Sequence, residues 1–579
     1  MDKKSYCIAW LMLLFVGSLH AQYRTTTYCN PLNLDYTYPF HNSHLGKSYR
    51  SGADPAVVEF RGEYYMFVTR SWGYWHSKDL LNWDFITPEK WYFEGCNAPA
   101  AHNYKDSVLY VCGNPSGAMS ILYTDNPKRG DWKAVPSVLH DLQDPALFID
   151  DDERAYMYWG SSNRWPIRGK ELDMKNKFLP IAKKPDSLLF LRPDIYGWER
   201  FGENHTSDIK PFIEGAWMTK HNGKYYLQYA APGTQFNVYG DGVYVGKSPL
   251  GPFQYAAHNP FCYKPGGFAT GAGHGSTVCG PGGIYWHFGT IHLSINYKFE
   301  RRLCMFPTFF DEDGVMYSDT YFGDYPHYSP DQVSRQTTSG GFRGWMLLSY
   351  GKPVKASSQL ESYPVENVTD ENLKTFWVAG KNDDKQWVEI DLEEVSDVYA
   401  LQLNFFDYEE TGFWGRMPNL RQRYLVEASV DGARWRVLVD YRNSFRDAPH
   451  NYIELDQPIE ARYIRYRHHY VPGKNLAMGD IRVVPVWDVG KNRTTVKGFT
   501  VVREADERNA RISWKSVKGA QGYNVLWGVA PDKLYSSWMV YGDNSLDLRA
   551  LTVGQKYYFA IESFNENGIS QRVFLREAH

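Results

Sequence analysis

Cysteine is scarce in this chain: seven among 579 residues. No two of them form a C-x-x-C pair, which excludes zinc ribbons and dithiol redox motifs. Cys29, Cys96, Cys112, Cys262, Cys279 and Cys304 all fall in the first 304 residues, where both disulfides and buried free thiols stay open. Helix-period apolar stretches are nearly absent from that region, which removes α/β folds. Charge is also nearly balanced, at −3 net with Lys and Arg scattered. That argues against nucleic acid or an anionic membrane as the main partner. Long apolar runs are missing beyond the start. "MDKKSYCIAWLMLLFVGSLHAQ" carries two lysines and an apolar run from Cys7 to Leu19. That is shorter than the roughly 20 residues a membrane span needs. Residues 1–21 therefore read as a cleavable signal peptide, and the protein is expected to be secreted or periplasmic.

Aromatics are abundant instead: 20 Trp, 44 Tyr and 31 Phe. The length implies two to four domains. Five segments repeat one pattern: "DPAVVEFRGEYYMFVT" from Asp54, "APAAHNYKDSVLYVCG" from Ala98, "DPALFIDDDERAYMYWG" from Asp144, "EGAWMTKHNGKYYLQYA" from Glu214 and "GSTVCGPGGIYWHFGT" from Gly275. Each is an apolar strand, a polar or glycine turn, and an aromatic strand, which is a hairpin signature. Five such units predict a five-bladed β-propeller. Inner strands of a propeller line one channel, so Asp54, Asp144 and Glu214 are expected to converge at its mouth.

With "HSKDLLNW" (His76 to Trp83), Ala98-Pro99, "GHGS" (Gly273 to Ser276) and "RRLCMFPTFFDEDG" (Arg301 to Gly314), these motifs occur in the order found in glycoside hydrolase family 43. The chain resembles that family over about Asn30 to Tyr325. The resemblance implies an inverting glycosidase with Asp54 as general base, Glu214 as general acid, and Asp144 tuning Glu214 and orienting the sugar. Inversion needs a base and an acid about 6.5–9.5 Å apart, with a water between them. The base must be ionised while the acid is protonated, so their surroundings must differ. A charged Asp144 would supply like-charge repulsion.

His274 resembles the family's channel histidine, which holds a water or metal ion; a hydrogen-bonded structural role is the other reading. Arg302 matches an arginine that reaches the sugar in some relatives, or is a salt-bridged arginine. Trp72, Trp75 and Trp217 are candidate sugar platforms, against packing between blades. Asp150 to Glu153 and "DEDG" from Asp311 lack EF-hand spacing and read as hairpin turns. No cofactor is required for the chemistry.

"SPDQVSRQTTSGGFRG" from Ser329 reads as a linker, 329–346. Short alternating strands then indicate a β-sandwich, and residues 347–488 resemble the discoidin or coagulation-factor type C fold. In that fold a loop like "ENVTDENLKTFW" holds a structural calcium, for which Asp370 is the candidate. Trp414 is a candidate exposed platform, and the domain either binds glycan or only buttresses the propeller. Residues 494–579 resemble a fibronectin type III spacer. It has Trp514 and Tyr523 in its core, and Leu551, Gly554 and Tyr557 at tyrosine-corner spacing.

The expected protein is all-β: a propeller over 22–328 and two sandwiches. It would remove α-L-arabinofuranosyl or β-D-xylosyl units from plant polysaccharide, with carbohydrate as partner and no obligate protein partner. The alternatives are a non-catalytic glycan-binding propeller, or a related hydrolase acting on galactan or another glycan. A fructan hydrolase fits poorly, because Ala53 and Gln143 precede Asp54 and Asp144 where those retaining enzymes carry Asn and Arg.

Overall fold

The computed structural model describes residues 26–42, 46–89, 96–114, 120–136, 142–293, 296–333, 340–485 and 494–575. The signal segment 1–21 lies outside them. Among the described residues, helix is limited to short 3-10 turns and the rest of the regular structure is strand.

Five antiparallel sheets follow one another, each a four-stranded meander, with a fifth strand (Asp186–Leu189) added to the third. Their inner strands are Ala56–Phe60, Asn97–Tyr104, Ala146–Ile149, Glu214–His221 and Gly273–Cys279. Each inner strand lies beside the next, and the fifth lies beside the first. The hairpin chemistry is local. Arg61-Gly62 and Asn222-Gly223 both take positive φ, +55° and +78°, then +47° and +74°. This is the type I′ geometry that matches strand twist. Much of the aromatic surplus goes into the blades, where Trp75, Trp132 and Trp286 are fully buried. Thr27–Tyr28 pairs with His327–Tyr328, tying the start of the propeller to its end.

The second domain is a seven-stranded sheet built on two very long strands, Trp387–Phe406 and His450–Tyr470. Their pairing register breaks after Asp391 and after Val398, and both strands run past these irregularities. Val388, Ile390, Leu401, Leu403, Val426 and Ile464 share its core. The C-terminal part has a three-stranded and a five-stranded sheet. Trp514, Tyr523, Val525, Leu551 and Ile561 are buried there, and the Tyr557 hydroxyl accepts from Thr552 N at 3.1 Å.

Two expectations need correction. Of the segment expected to be a linker, 334–339 lie outside the described residues, while Trp345 and Met346 at its end are buried, Trp345 against Tyr399. Composition suggested a flexible tether, but its last residues are apolar and find a core. The C-terminal sheets are not a detached spacer either. Gly197 N donates to Leu551 O at 2.9 Å, and Tyr317 stacks on Tyr535 at 3.8 Å, so this part is packed onto the propeller. Cys29, Cys112, Cys262 and Cys304 are buried free thiols.

Candidate active site

Each inner strand starts with one residue in the left-handed backbone region: Asp54 (φ +56°), Ala98 (+43°), Asp144 (+48°), Gly215 (+67°) and His274 (+50°). For side chains other than glycine this conformation is costly and persists only where the surroundings enforce it. In the second, fourth and fifth blades the register also shifts at this point, as at a bulge. The common turn re-aims the chain toward the channel. The repeat is offset by one residue from the sequence alignment in the last two blades. Glu214 precedes the left-handed position, and His274, not Gly275, occupies it. Gly215 is required for space as well as φ, since a Cβ there would come within 3.0 Å of the His274 ring.

These turns gather Asp54, Asp144, Glu214 and His274. The His274 Nδ1 lies 3.3 Å from Asp54 Oδ1 and 3.9 Å from Asp144 Oδ2. Its backbone is held by Asp241, whose Oδ1 and Oδ2 accept from His274 N (2.8 Å) and Gly275 N (2.9 Å). Thr69 Oγ1 donates to Asp54 Oδ2 at 2.5 Å and accepts from Ala98 N at 2.8 Å. Arg301 Nη1 stands 3.9 Å from Asp54 Oδ1. Across the mouth, Tyr239 donates to Glu214 Oε1 at 2.6 Å and Ser161 to Glu214 Oε2 at 3.0 Å. Ser161 also hydrogen-bonds Asp144.

The electrostatics separate the acids. Burial would raise the Asp54 carboxyl, but the charges of His274 and Arg301 and the Thr69 hydrogen bond outweigh it and hold it below the usual range. Asp144 goes the other way. Burial, opposed by His274 and reinforced by the charges of Glu214 and Asp54, pushes it up to about 7. His274 is raised despite burial, by Asp54, Asp144, Glu214 and Asp241. The Asp144 carboxyl thus stands well above that of Asp54. Ser161 has a single hydroxyl proton and cannot donate to both carboxylates at once.

Three sequence candidates do not face the site as platforms or sugar contacts. Trp75 is 1% exposed, donates from Nε1 to Asp35 at 2.6 Å and packs edge-on against Phe85, so it is a core residue. Arg302 is 1% exposed and points to the second domain, donating to His450 Nε2 at 2.9 Å. Its neighbour Arg301 faces Asp54, because adjacent strand residues point to opposite sides. Trp217 is half-buried and packs against the apolar cluster of the first two blades, its Nε1 3.3 Å from Thr277 O. Trp72 is half-buried with Gly415 of the second domain against its ring. Trp414, beside that contact, is exposed.

Asp370 accepts from Thr375 Oγ1 (2.7 Å) and Asn372 N (3.1 Å), both within its own loop. Among the described residues, no group of three or more His, Cys, Asp or Glu is arranged to hold a metal ion.

Thr69, Ser161, Tyr239, Asp241 and Arg301 were not singled out by sequence. A signal existed for the first two: the second strands of blades one and three end in "MFVT" and "YWGSS", a polar residue right after the aromatic run.

Comparison with known proteins places this geometry. Residues 49–316 match Glycosyl hydrolases family 43, and residues 353–478 match the F5/8 type C domain. The first five sheets are thus similar to family 43. A beta-xylosidase of Xylanibacter ruminicola is 33% identical over 202 residues, covering 31% of this chain and 57% of that protein. An arabinoxylan arabinofuranohydrolase of Bacillus subtilis is 25% identical over 331 residues, covering 46% of this chain and 60% of the relative. The chain thus spans a little over half the length of these curated relatives. A solved structure described as a thermostable family-43 glycoside hydrolase aligns with TM-score 0.42 and 21% identity, covering 52% of this chain and 99% of the other.

Proposed function

We propose that the family 43-like propeller hydrolyses glycosidic bonds with inversion, releasing α-L-arabinofuranosyl or β-D-xylosyl units from plant polysaccharide or oligosaccharide. The observation that carries this reading is the convergence of Asp54, set against His274, Arg301 and Thr69, with Glu214, held by Tyr239 and Ser161. Asp54 is held ionised on one wall, while Asp144 holds a proton near neutrality beside Glu214 on the other. Asp54 takes a proton from water as it attacks the anomeric carbon, and Glu214 gives one to the leaving oxygen. Ser161 hydrogen-bonds both carboxyls and so links Asp144 to Glu214. Imidazolium His274 keeps Asp54 charged and fixes its orientation. Names of the relatives that include xylosidase and arabinofuranohydrolase favour pentosides.

In the same reading the chain divides into a propeller over 22–328, a discoidin-like domain over 347–488 and a fibronectin type III-like domain over 494–579. A structural calcium belongs at the Asp370 loop. Asp480 beside it is buried with Oδ2 unpartnered, and its carboxyl is pushed well up by burial and by Glu371 and Asp370. Arg482 donates to Glu371 in the same cluster, at 2.9 and 3.2 Å.

The test is a screen against aryl pentosides and arabinose-, xylose- and galactose-containing oligosaccharides, with proton NMR of the anomer released first. Inverted pentose is expected. A retained anomer would refute the mechanism, and binding without turnover would favour a silent glycan-binding propeller.

A further inference from the structure

Trp165 is 63% exposed, the most exposed tryptophan among the described residues. Single exposed apolar residues are ordinary, but this one sits on a short tether from the site. Gly160 N donates to Gln143 O at 2.8 Å, next to Asp144. Ser161 then donates to Glu214 at 3.0 Å. Ser162 and Ile213, the residue before Glu214, exchange backbone hydrogen bonds of 3.1 and 3.0 Å. The Ser162 Oγ accepts from Arg164 N (2.9 Å) and Trp165 N (3.1 Å), which sets the turn that presents the indole. The Arg168 guanidinium lies over one face of the ring, 5.3 Å from its centroid, a cation–π contact that leaves the other face for a ligand. The segment leading into Ile213 adds Ile209, 62% exposed, and Phe212, 37% exposed.

We propose that Trp165 is the platform for the leaving-group side of the glycan, stacking against the apolar face of the pyranose to which the removed sugar is attached. The inference rests on the reading of Glu214 as the acid. Its proton goes to the glycosidic oxygen, which departs with the backbone sugar, so the surface continuous with Glu214 receives that sugar. The removed unit sits on the channel side of Glu214, between it and Asp54. An exposed indole and two apolar neighbours suit the C–H face of a sugar ring, and the nearby Arg164 and Arg168 suit its hydroxyls. Trp165 is then a specificity-determining residue, not a catalytic one.

The test uses the full chain with Trp165→Ala and Trp165→Phe, and two substrates. One is a pentosyl fluoride, whose leaving group has no ring; the other is a xylo-oligosaccharide carrying the same pentose. Trp165→Ala should lower kcat/KM on the oligosaccharide about ten-fold, the loss of one stacked ring, and change the fluoride rate less than about two-fold. Trp165→Phe should recover most of the loss. Equal effects on both substrates, or none on either, would overturn the platform. Wild-type chain inert on both would refute the hydrolase reading itself, and this inference with it.

Discussion

Thr69→Val keeps the shape of a buried side chain and removes one hydroxyl with two partners. In the native chain that hydroxyl donates to Asp54 Oδ2 at 2.5 Å and accepts from Ala98 N at 2.8 Å. A hydrogen bond to a charged group is worth about 1.5–3 kcal/mol. If it supports the base throughout the reaction, kcat/KM should fall about 10- to 100-fold at one ten-fold step per 1.36 kcal/mol. Leaving Ala98 N unpaired should cost a further ~1–3 kcal/mol of stability. The pH dependence gives the sharper reading. Thr69 is one of the causes that lower the Asp54 carboxyl. Removing it raises that group, so the base loses its proton only at higher pH, and the acid limb of kcat/KM must move to higher pH. Stability follows the same sign. A depressed carboxylate stabilises the fold above its unfolded value, and this is lost as pH falls through the folded one. The stability gap between variant and wild type should therefore shrink in acid. Profiles of kcat/KM from acid to neutral pH and thermal unfolding at both ends measure this, with Thr69→Ser as the control that keeps the hydroxyl. An acid limb that stays in place, or moves to lower pH, would refute the assignment of Thr69 as the group that keeps Asp54 ionised.

Glu214→Gln should cut turnover at least about 10²-fold on oligosaccharides. A substrate with a good leaving group should rescue its cleavage step but not that of Asp54→Asn; rescue of both, or of neither, would break the division of roles. Asp144→Asn removes the proton held near pH 7, so the alkaline limb of the rate profile should move to lower pH. Ser161→Ala should lower kcat about ten-fold on the same substrates, by cutting the hydrogen-bond path between the two acids; an unchanged rate would remove that link. Arg301→Ala should shift the acid limb upward, while Arg302→Ala should leave it in place and lower stability by about 3–5 kcal/mol, the cost of breaking a buried charged contact. The reverse pattern would reinstate Arg302 as the site residue.

Much of the propeller was legible because its signals are local. Turns such as Arg61-Gly62 need only their own two residues, and five of them in series imply a blade count. What was not legible depends on contacts distant in sequence. Whether Arg301 or Arg302 faces the channel is a question of strand parity, and nothing in "RRLC" states it. Trp75 reads as a platform by type, yet its Nε1 finds Asp35, 40 residues earlier. Trp345 sits in a polar stretch and is buried only because the second domain brings Tyr399 to it. Packing of the C-terminal sheets onto the propeller relies on contacts such as Gly197 with Leu551, which no periodicity encodes.

The Asp-Pro pairs at Asp54 and Asp144 show the same division more finely. They suggested acids repeated at one position, and three acids do meet. What repeats, however, is the left-handed turn, occupied by Asp54, Ala98, Asp144, Gly215 and His274. Side-chain chemistry is assigned blade by blade on that shared backbone device. Blade two keeps only a methyl at the turn and lends its N–H to Thr69. Blade four needs glycine there to clear His274, so its acid moves one residue earlier and reaches the mouth from the flank, within range of Ser161 and Tyr239. Blade five supplies a cation in place of an acid. The difference between Asp54 and Glu214 therefore begins in the backbone: one acid sits on the turn, facing His274 and Arg301, and the other sits beside it, facing hydroxyls.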